Sequence, residues 1–349
     1  MLLSDFDYEL PEELIAQHPL EQRDASRMLV LNRACGTQQD SRFELFPEYI
    51  RPGDVVVVNN TRVFPARLIG RRESSGGRVE VLLARQLEGA IWEALVRPAK
   101  RLKVGARLSF GDSKLRAEVL GCSPKGIRLL RFEAAGFGVD SLENLLAEQG
   151  QTPLPNYIRR PEGESVDDSE RYQTVFAREK GAIAAPTAGL HFTSEVIAAV
   201  ESRGARVAEI TLHVGYGTFE PVRVDRIEEH RVAPEFFQIR EAAAAIINDS
   251  RSKGGRVIAV GTTTTRALES SINEQGLVTA GAGESELTIT PGHQFRVTDA
   301  LLTNFHLPRS SLLLLVSAFA GRDFTLAAYR HAVAAGYRFY SYGDCMFVI

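Results

Sequence analysis

Three histidines lie in turns rich in hydroxyls, glycines and prolines. The turns are Ala185-Pro186-Thr187-Ala188-Gly189-Leu190-His191-Phe192-Thr193, Leu212-His213-Val214-Gly215-Tyr216-Gly217-Thr218 and Thr303-Asn304-Phe305-His306-Leu307-Pro308. Imidazole titrates near neutral pH, so a histidine on a shaped turn can take up, hold or release a proton during a reaction. Thr187, Thr218 and Asn304 add hydrogen-bonding groups, and Gly189, Gly215 and Gly217 let a backbone approach a ligand closely. Each turn follows an apolar, strand-like run, and strand ends are where α/β proteins place ligands. Taken singly, each histidine reads equally well as a buried residue that ties loops together. Their matched surroundings favour one shared site.

A three-histidine metal centre is the alternative. The spacings of 22 and 93 residues form no metal-binding pattern, and neither His-x-His nor HExxH occurs, so no metal is expected. Cys35, Cys122 and Cys345 are odd in number and widely separated, which supports neither a disulfide framework nor a cysteine zinc site.

The elements around these turns alternate strand and helix in the second half of the chain. Strands are expected at 207–214, 235–240 and 256–260, and helices at 195–203, 242–252, 310–320 and 324–335, the first capped by Thr193 or Ser194. The strand at 256–260 runs into Gly261-Thr262-Thr263-Thr264-Thr265-Arg266, a glycine and hydroxyls before a helix start, which suits an anion or a ribose. It lacks the lysine of a P-loop and the third glycine of a dinucleotide fingerprint. Earlier, the β-branched run 55–58 reads as a strand buried on both faces, ending at Asn59-Asn60-Thr61-Arg62, with Arg67 shortly after. Paired guanidiniums such as Arg62 and Arg67 suit carboxylate or phosphate. A short helix is expected at 11–17. The chain closes on Tyr337-Arg338-Phe339-Tyr340-Ser341-Tyr342-Gly343-Asp344, read as an aromatic strand and a turn carboxylate.

From about residue 68 to 133 the texture changes to short alternating runs divided by Gly and Ser-Gly turns, the pattern of a small antiparallel barrel. Charge changes with it. Between Arg51 and Arg131 there are 17 Lys and Arg against 7 Asp and Glu, while the rest of the chain holds 24 against 37. A net charge of −3 conceals this asymmetry, which points to a basic surface facing a polyanion. Tyr157, Arg159 and Arg160, after the prolines at 153 and 155, offer a stacking face and cationic forks to the same partner.

At 349 residues the chain exceeds what one core usually supports, so two domains are expected. They are a larger α/β domain with a mixed or barrel-like sheet (1–67 and 151–349) and an inserted basic all-β barrel (68–150). The longest apolar run, 312–320, is too short to cross a bilayer, and acids stand where a signal peptide would carry bases. A cytoplasmic monomer without a membrane partner is expected.

Several long motifs together resemble the S-adenosylmethionine:tRNA ribosyltransferase-isomerase family. They are Asp5-Phe6-Asp7-Tyr8-Glu9-Leu10-Pro11, Asn59-Asn60-Thr61-Arg62-Val63, the three histidine turns, residues 261–270 and residues 337–346, in order along essentially the whole chain. The resemblance implies transfer and isomerisation of the ribosyl moiety of S-adenosylmethionine onto 7-aminomethyl-7-deazaguanine (preQ1) at the wobble position of tRNA. Epoxyqueuosine-tRNA, adenine and methionine would be the products. S-adenosylmethionine would be a consumed co-substrate, with no further cofactor. On that reading His191, His213 or Asp344 is the candidate base for the ribose C5′ proton, and His306 is suited to adenine departure. Arg62, Arg67 or Arg266 would hold the methionine carboxylate. Thr187 and the threonines Thr262, Thr263, Thr264 and Thr265 would bond ribose hydroxyls, and Gly189, Gly215, Gly217, Thr218, Asn304 and Tyr342 would complete the pocket. Arg97, Lys100, Arg101, Tyr157, Arg159 and Arg160 would contact tRNA. A metal-dependent hydrolase and a non-catalytic RNA-binding module are the rival classes; the second leaves the histidine turns unexplained.

Overall fold

In the computed structural model, residues 1–112, 114–123, 126–134, 139–160, 166–215, 217 and 222–349 are described. They fall into two compact units: Met1–Arg62 with Pro155–Arg159 and Arg171–Ile349, and Val63–Leu154 with Arg160–Glu170.

The larger unit is built on a nine-stranded mixed sheet. Its centre is four parallel strands in the order Arg206–Leu212, Val55–Asn59, Val257–Val260 and Ala300–Asn304. Cys345–Val348 runs antiparallel to Ala300–Asn304 and parallel to the next strand, Arg27–Asn32. The antiparallel strands Glu235–Ile239, Gly281–Ser285 and Thr37–Arg42 complete the flanks.

Val55, Val56, Val57 and Val58 are all buried, as a continuous β-branched run demands. Their side chains alternate between two cores. Val55 and Val57 join Leu29, Ala259 and Leu301 against helices Glu241–Ser252, Thr262–Ser270, Ser311–Ala320 and Arg322–Ala334, through Ile247, Leu268, Leu314 and Tyr329. Val56 and Val58 join Ile258 and Leu302 against Phe43, Phe46, Phe192, Val196 and Val200. A sheet buried on both faces can present only its strand ends to a ligand. Among the described residues, no single helix is long and apolar enough to cross a membrane.

The smaller unit is a closed barrel of six antiparallel strands. They run in the order Arg67–Arg72, Arg78–Gln86, Ile91–Arg97, Arg128–Ala134, Leu115–Cys122 and Arg107–Phe110. Pairing of Arg71 with Ser109 closes the circle. Val79, Val81, Leu83, Ala94, Leu108, Ala117, Val119, Leu130 and Phe132 fill the interior at every second position. This unit begins at Val63, ahead of the barrel texture, and it includes Arg160–Glu170. There Arg160 makes a buried, two-pronged ion pair with Asp168, at 2.7 and 2.8 Å.

Two local expectations change. The helix expected at 11–17 is a single 3₁₀ turn, Glu12–Leu14. The aromatic stretch 337–344 is a loop, and the strand starts at Cys345. Asp344 folds the loop back by accepting the Arg338 N–H at 2.8 Å, and a side chain on Gly343 would meet the Arg338 carbonyl at 2.5 Å.

Gly70 sits at the closing seam of the barrel. A Cβ there would lie 2.5 Å from the Phe110 ring and 2.6 Å from the Ser109 carbonyl, so strand and ring would both have to move. Gly70→Val is expected to destabilise the barrel by about 1–3 kcal/mol or more. Gly121→Ala, whose Cβ would meet Leu129 at an ordinary 3.7 Å, is the tolerated control in the same thermal melt.

Candidate active site

The four central strands point the same way, so their carboxyl ends share one edge. Asn59 and Asn304 end two of those strands, Asn60, His213 and Gly261-Thr262 follow directly, and Asp344 directly precedes Cys345–Val348.

Asn304 organises one part of the edge. It is buried, and its amide nitrogen donates to the Tyr340 carbonyl at 3.1 Å and the Asp344 carbonyl at 3.4 Å. The same nitrogen lies 3.2 Å from His191 Nε2. The Ser26 hydroxyl, 2.9 Å from Nδ1, gives its own proton to the Arg23 carbonyl and so accepts from Nδ1–H, which leaves Nε2 an acceptor. Burial, helped by the guanidiniums of Arg23 and Arg338, lowers the His191 pKa to about 4, so the ring is neutral at pH 7. Asn304 Oδ1 and the Thr263 hydroxyl are buried without a partner among the described residues. Both belong to groups that a ligand at this edge could satisfy.

The His191 turn, Thr187–His191, is a 3₁₀ turn, followed by helix Ser194–Ser202 with Thr193 as its cap. Gly189 packs so closely that a Cβ would meet Thr174 at 2.9 Å, while the Thr187 side chain is half-buried. Ala188 lies 3.8 Å from where a Cβ of Gly261 would stand, which brings this turn beside the start of Thr262–Ser270. Gly261 has φ of +94°, and no side chain caps the helix. Its first N–H groups therefore face the edge. Thr264 and Thr265 bond back to the Val260 and Gly261 carbonyls, whereas the Thr262 and Thr263 hydroxyls make no such bond to the main chain of the described residues.

His306 is buried too, and burial pushes its pKa down to about 3. Its Nε2 is 2.9 Å from the Thr303 hydroxyl, its N–H donates to the Tyr329 oxygen, and its carbonyl accepts from Tyr8. The amino-terminal motif thus braces this loop across the fold. That role was invisible in the local pattern around Tyr8.

His213 occupies a slot of its own. Its ring stacks on Phe236 with centroids 5.5 Å apart, and a Cβ on Gly181 would meet the ring at 2.7 Å. The Thr61 hydroxyl is 2.7 Å from Nδ1. Asn59 bonds both the N–H and the carbonyl of Leu212, and Asn60 bonds Thr211 and Glu209, so this pair fixes the strand end that carries His213. Burial lowers the His213 pKa.

Several sequence candidates prove to be engaged by the protein itself. Both Asp344 oxygens accept main-chain N–H groups, from Arg27 and Arg338, so this carboxylate braces the loop. Burial raises its pKa. Arg67 forks onto Glu80 at 3.0 and 3.3 Å within the barrel unit. Arg266 is buried, pairs with Glu235, and donates to the Leu287 and Ser285 carbonyls. Both guanidiniums are thus paired with carboxylates of the protein itself. Arg62 is exposed and makes no hydrogen bond with the described residues. Gly215 donates to Glu235, and Gly217 lines a cavity beside Arg266. Thr218 lies outside the described residues. Tyr342 is buried edge-on to Tyr172.

The expected tRNA contacts also divide. Arg97, Lys100 and Arg101 are exposed on the barrel. The turn that carries Lys100 and Arg101 is held from beneath by Arg128, which is buried and donates to the Ala99, Leu102 and Gly126 carbonyls. Tyr157 instead faces Tyr340, with centroids 4.0 Å apart, and its hydroxyl bonds Ser341. Arg159 pairs with Glu12 at the surface, and Arg160 is committed to Asp168. Among the described residues no group of three or more His, Cys, Asp or Glu is placed to hold a metal.

A buried mixed sheet that delivers neutral imidazoles, an oriented amide and an uncapped helix start to one edge is the architecture of an enzyme that binds its substrate at strand ends. Residues 3–348 match the family model described as queuosine biosynthesis protein, and the chain belongs to that family. It is 51% identical to an S-adenosylmethionine:tRNA ribosyltransferase-isomerase from Symbiobacterium thermophilum over 349 residues, the full length of both chains. It is also similar to the crystal structure of S-adenosylmethionine tRNA ribosyltransferase from Thermotoga maritima. That likeness has 39% identity and a TM-score of 0.56, covering 99% of this chain and 100% of that one.

Because the folded pKa of His191 lies below the unfolded value of about 6.5, the unfolded chain binds the extra proton between the two. The stability that His191 contributes is complete above about pH 6.5 and is lost as pH falls toward 4. Its size is on the order of 3 kcal/mol. His191→Asn should therefore flatten the fall in denaturant midpoint between pH 6.5 and 4. An unchanged slope would mean that the ring is solvated.

Proposed function

We propose that the protein transfers and isomerises the ribosyl moiety of S-adenosylmethionine onto 7-aminomethyl-7-deazaguanine at the tRNA wobble position. The RNA becomes epoxyqueuosine-tRNA, and adenine and methionine leave. The full-length match to the queuosine biosynthesis family carries this reading. The site supports it. A sulfonium acidifies the adjacent ribose C5′–H, and removing that proton needs a neutral base. His191 and His213 both sit at the ligand edge with lowered pKa values. Asp344, tied to two main-chain amides, positions the loop that orients Asn304.

Thr262, Thr263 and the free N–H groups of their helix suit the hydroxyls of a ribose, and Asn304 Oδ1 suits a donor such as an exocyclic amine. Arg62 is the guanidinium of the three sequence candidates that remains available to a carboxylate. Much of the rate would come from holding two large substrates in register. S-adenosylmethionine is consumed, and no metal or further cofactor is required.

Incubation with S-adenosylmethionine and preQ1-bearing tRNA should release adenine and methionine in equal amounts, with a matching mass gain on the RNA. A chelator should leave the rate unchanged. Absence of adenine would refute the reading. On the barrel, Lys100→Glu with Arg101→Glu should weaken tRNA binding at least about tenfold and make its salt dependence shallower by about two phosphate contacts. Filter binding at several salt concentrations checks this, and equal affinity would remove the turn from the RNA surface.

A further inference from the structure

Three arginines outside the sequence candidates gather on residues 18–23, and two of them, Arg23 and Arg338, act on His191. Arg338 and Arg171 each place a terminal guanidinium nitrogen on the same short segment, bonding the His18 and Leu20 carbonyls. Those carbonyls are two residues apart, roughly 7 Å along an extended chain. Arg23 leaves the same segment and donates to the Leu190 carbonyl, one residue before His191. Arg171 helps lower the Arg23 pKa, and Arg23 and Arg338 both help keep His191 neutral.

This cluster holds donors that the protein does not use. Arg171 Nε and Arg338 Nη1 are buried without a hydrogen-bond partner among the described residues. Neither arginine forms an ion pair with a described residue. Asp344, the carboxylate that acts on Arg338, already accepts two main-chain N–H groups. Buried guanidinium N–H groups left open are costly unless an anion completes them. Arg67, Arg160, Arg256 and Arg266 show the contrast, each matched to a carboxylate of its own.

We propose that Arg171 and Arg338, with Arg23 beside them, form a subsite for a backbone phosphate of the RNA substrate and so seat the target nucleotide against His191. The inference rests on the function proposed above. Phosphate is favoured over the methionine carboxylate by the chemistry of the cluster. Three guanidiniums in one neighbourhood, Arg171 close enough to act on Arg23 and Arg23 and Arg338 both close enough to act on His191, exceed what a single carboxylate fork can use, whereas a phosphodiester accepts on two oxygens with further lone pairs to share. They would also repel the sulfonium attached to that carboxylate. Tyr342 and Tyr172 stand in the same neighbourhood, and aromatic faces next to arginines are what a splayed nucleotide requires.

The test separates the two substrates kinetically, in the full-length protein. With wild type releasing adenine, Arg171→Met and Arg338→Met should each raise KM for a preQ1-bearing anticodon stem–loop about tenfold. Each should also lower the salt slope of its binding by about one contact. KM for S-adenosylmethionine should stay within about twofold, as expected for a contact made only to RNA. Arg171→Lys and Arg338→Lys retain the charge and should recover most of the salt slope. They keep the test open if a methionine variant fails to fold. A rise in KM for S-adenosylmethionine with RNA binding intact would overturn the proposal in favour of a carboxylate site. Unchanged KM for both substrates would overturn it as well. If wild type releases no adenine, the functional reading fails instead, and that outcome is distinct from either.

Discussion

One side-chain amide holds the ligand edge together. Asn304 stands at the end of a fully buried strand, and its nitrogen is directed at the carbonyls of Tyr340 and Asp344. Rotating the amide would set its oxygen against those carbonyls, so its orientation is fixed. Ser26, which donates to the Arg23 carbonyl, takes the ring proton of His191 on Nδ1, so Nε2 faces the amide as an acceptor and the amide oxygen is left open. Tyr340, held at φ of +73°, stays in a left-handed conformation because its neighbours bind its carbonyl and its N–H. The sheet is the anvil for this arrangement. Two cores, one on each face, hold the strand ends, and short polar side chains do the rest.

The arginines divide into two populations with different physics. Arg67, Arg160, Arg256 and Arg266 are matched to carboxylates, and Arg128 to three carbonyls. These brace the chain. Lys100 and Arg101 stand free on the barrel, while Arg338, beside His191, and Arg171, beside Arg23, keep unused donors. A charge count alone cannot separate the two groups, because partner and cation are often distant in sequence. Arg266 and Glu235 are 31 residues apart, and Arg256 and Asp54 are 202 apart.

What was legible in the sequence followed from local periodicity. The β-branched run at Val55 to Val58, the alternating strands of the barrel and the Thr193 cap all depend on neighbours a few residues away. The histidine turns were also legible as strand-end features, since a strand followed by Gly, Thr or Pro is a local signal. What stayed hidden depends on closure. Arg160 joins the barrel unit through Asp168, Asp344 acts as a loop brace, and Tyr8 reaches His306 across 298 residues. Arg23, Arg171 and Arg338 meet only because three separate segments fold onto residues 18–23. The family resemblance supplied the substrates, but it could not say which arginines were already engaged.

The central claim is that His191 is held neutral, with Nε2 an acceptor, before any substrate arrives. Nitrogen-15 NMR of the histidine rings, with the His191 resonances assigned by comparison with His191→Asn, measures this directly. The account predicts the shifts of a neutral Nδ1–H ring that does not titrate between pH 8 and about pH 5. A ring that protonates near pH 6.5, or one that carries its proton on Nε2, would contradict it.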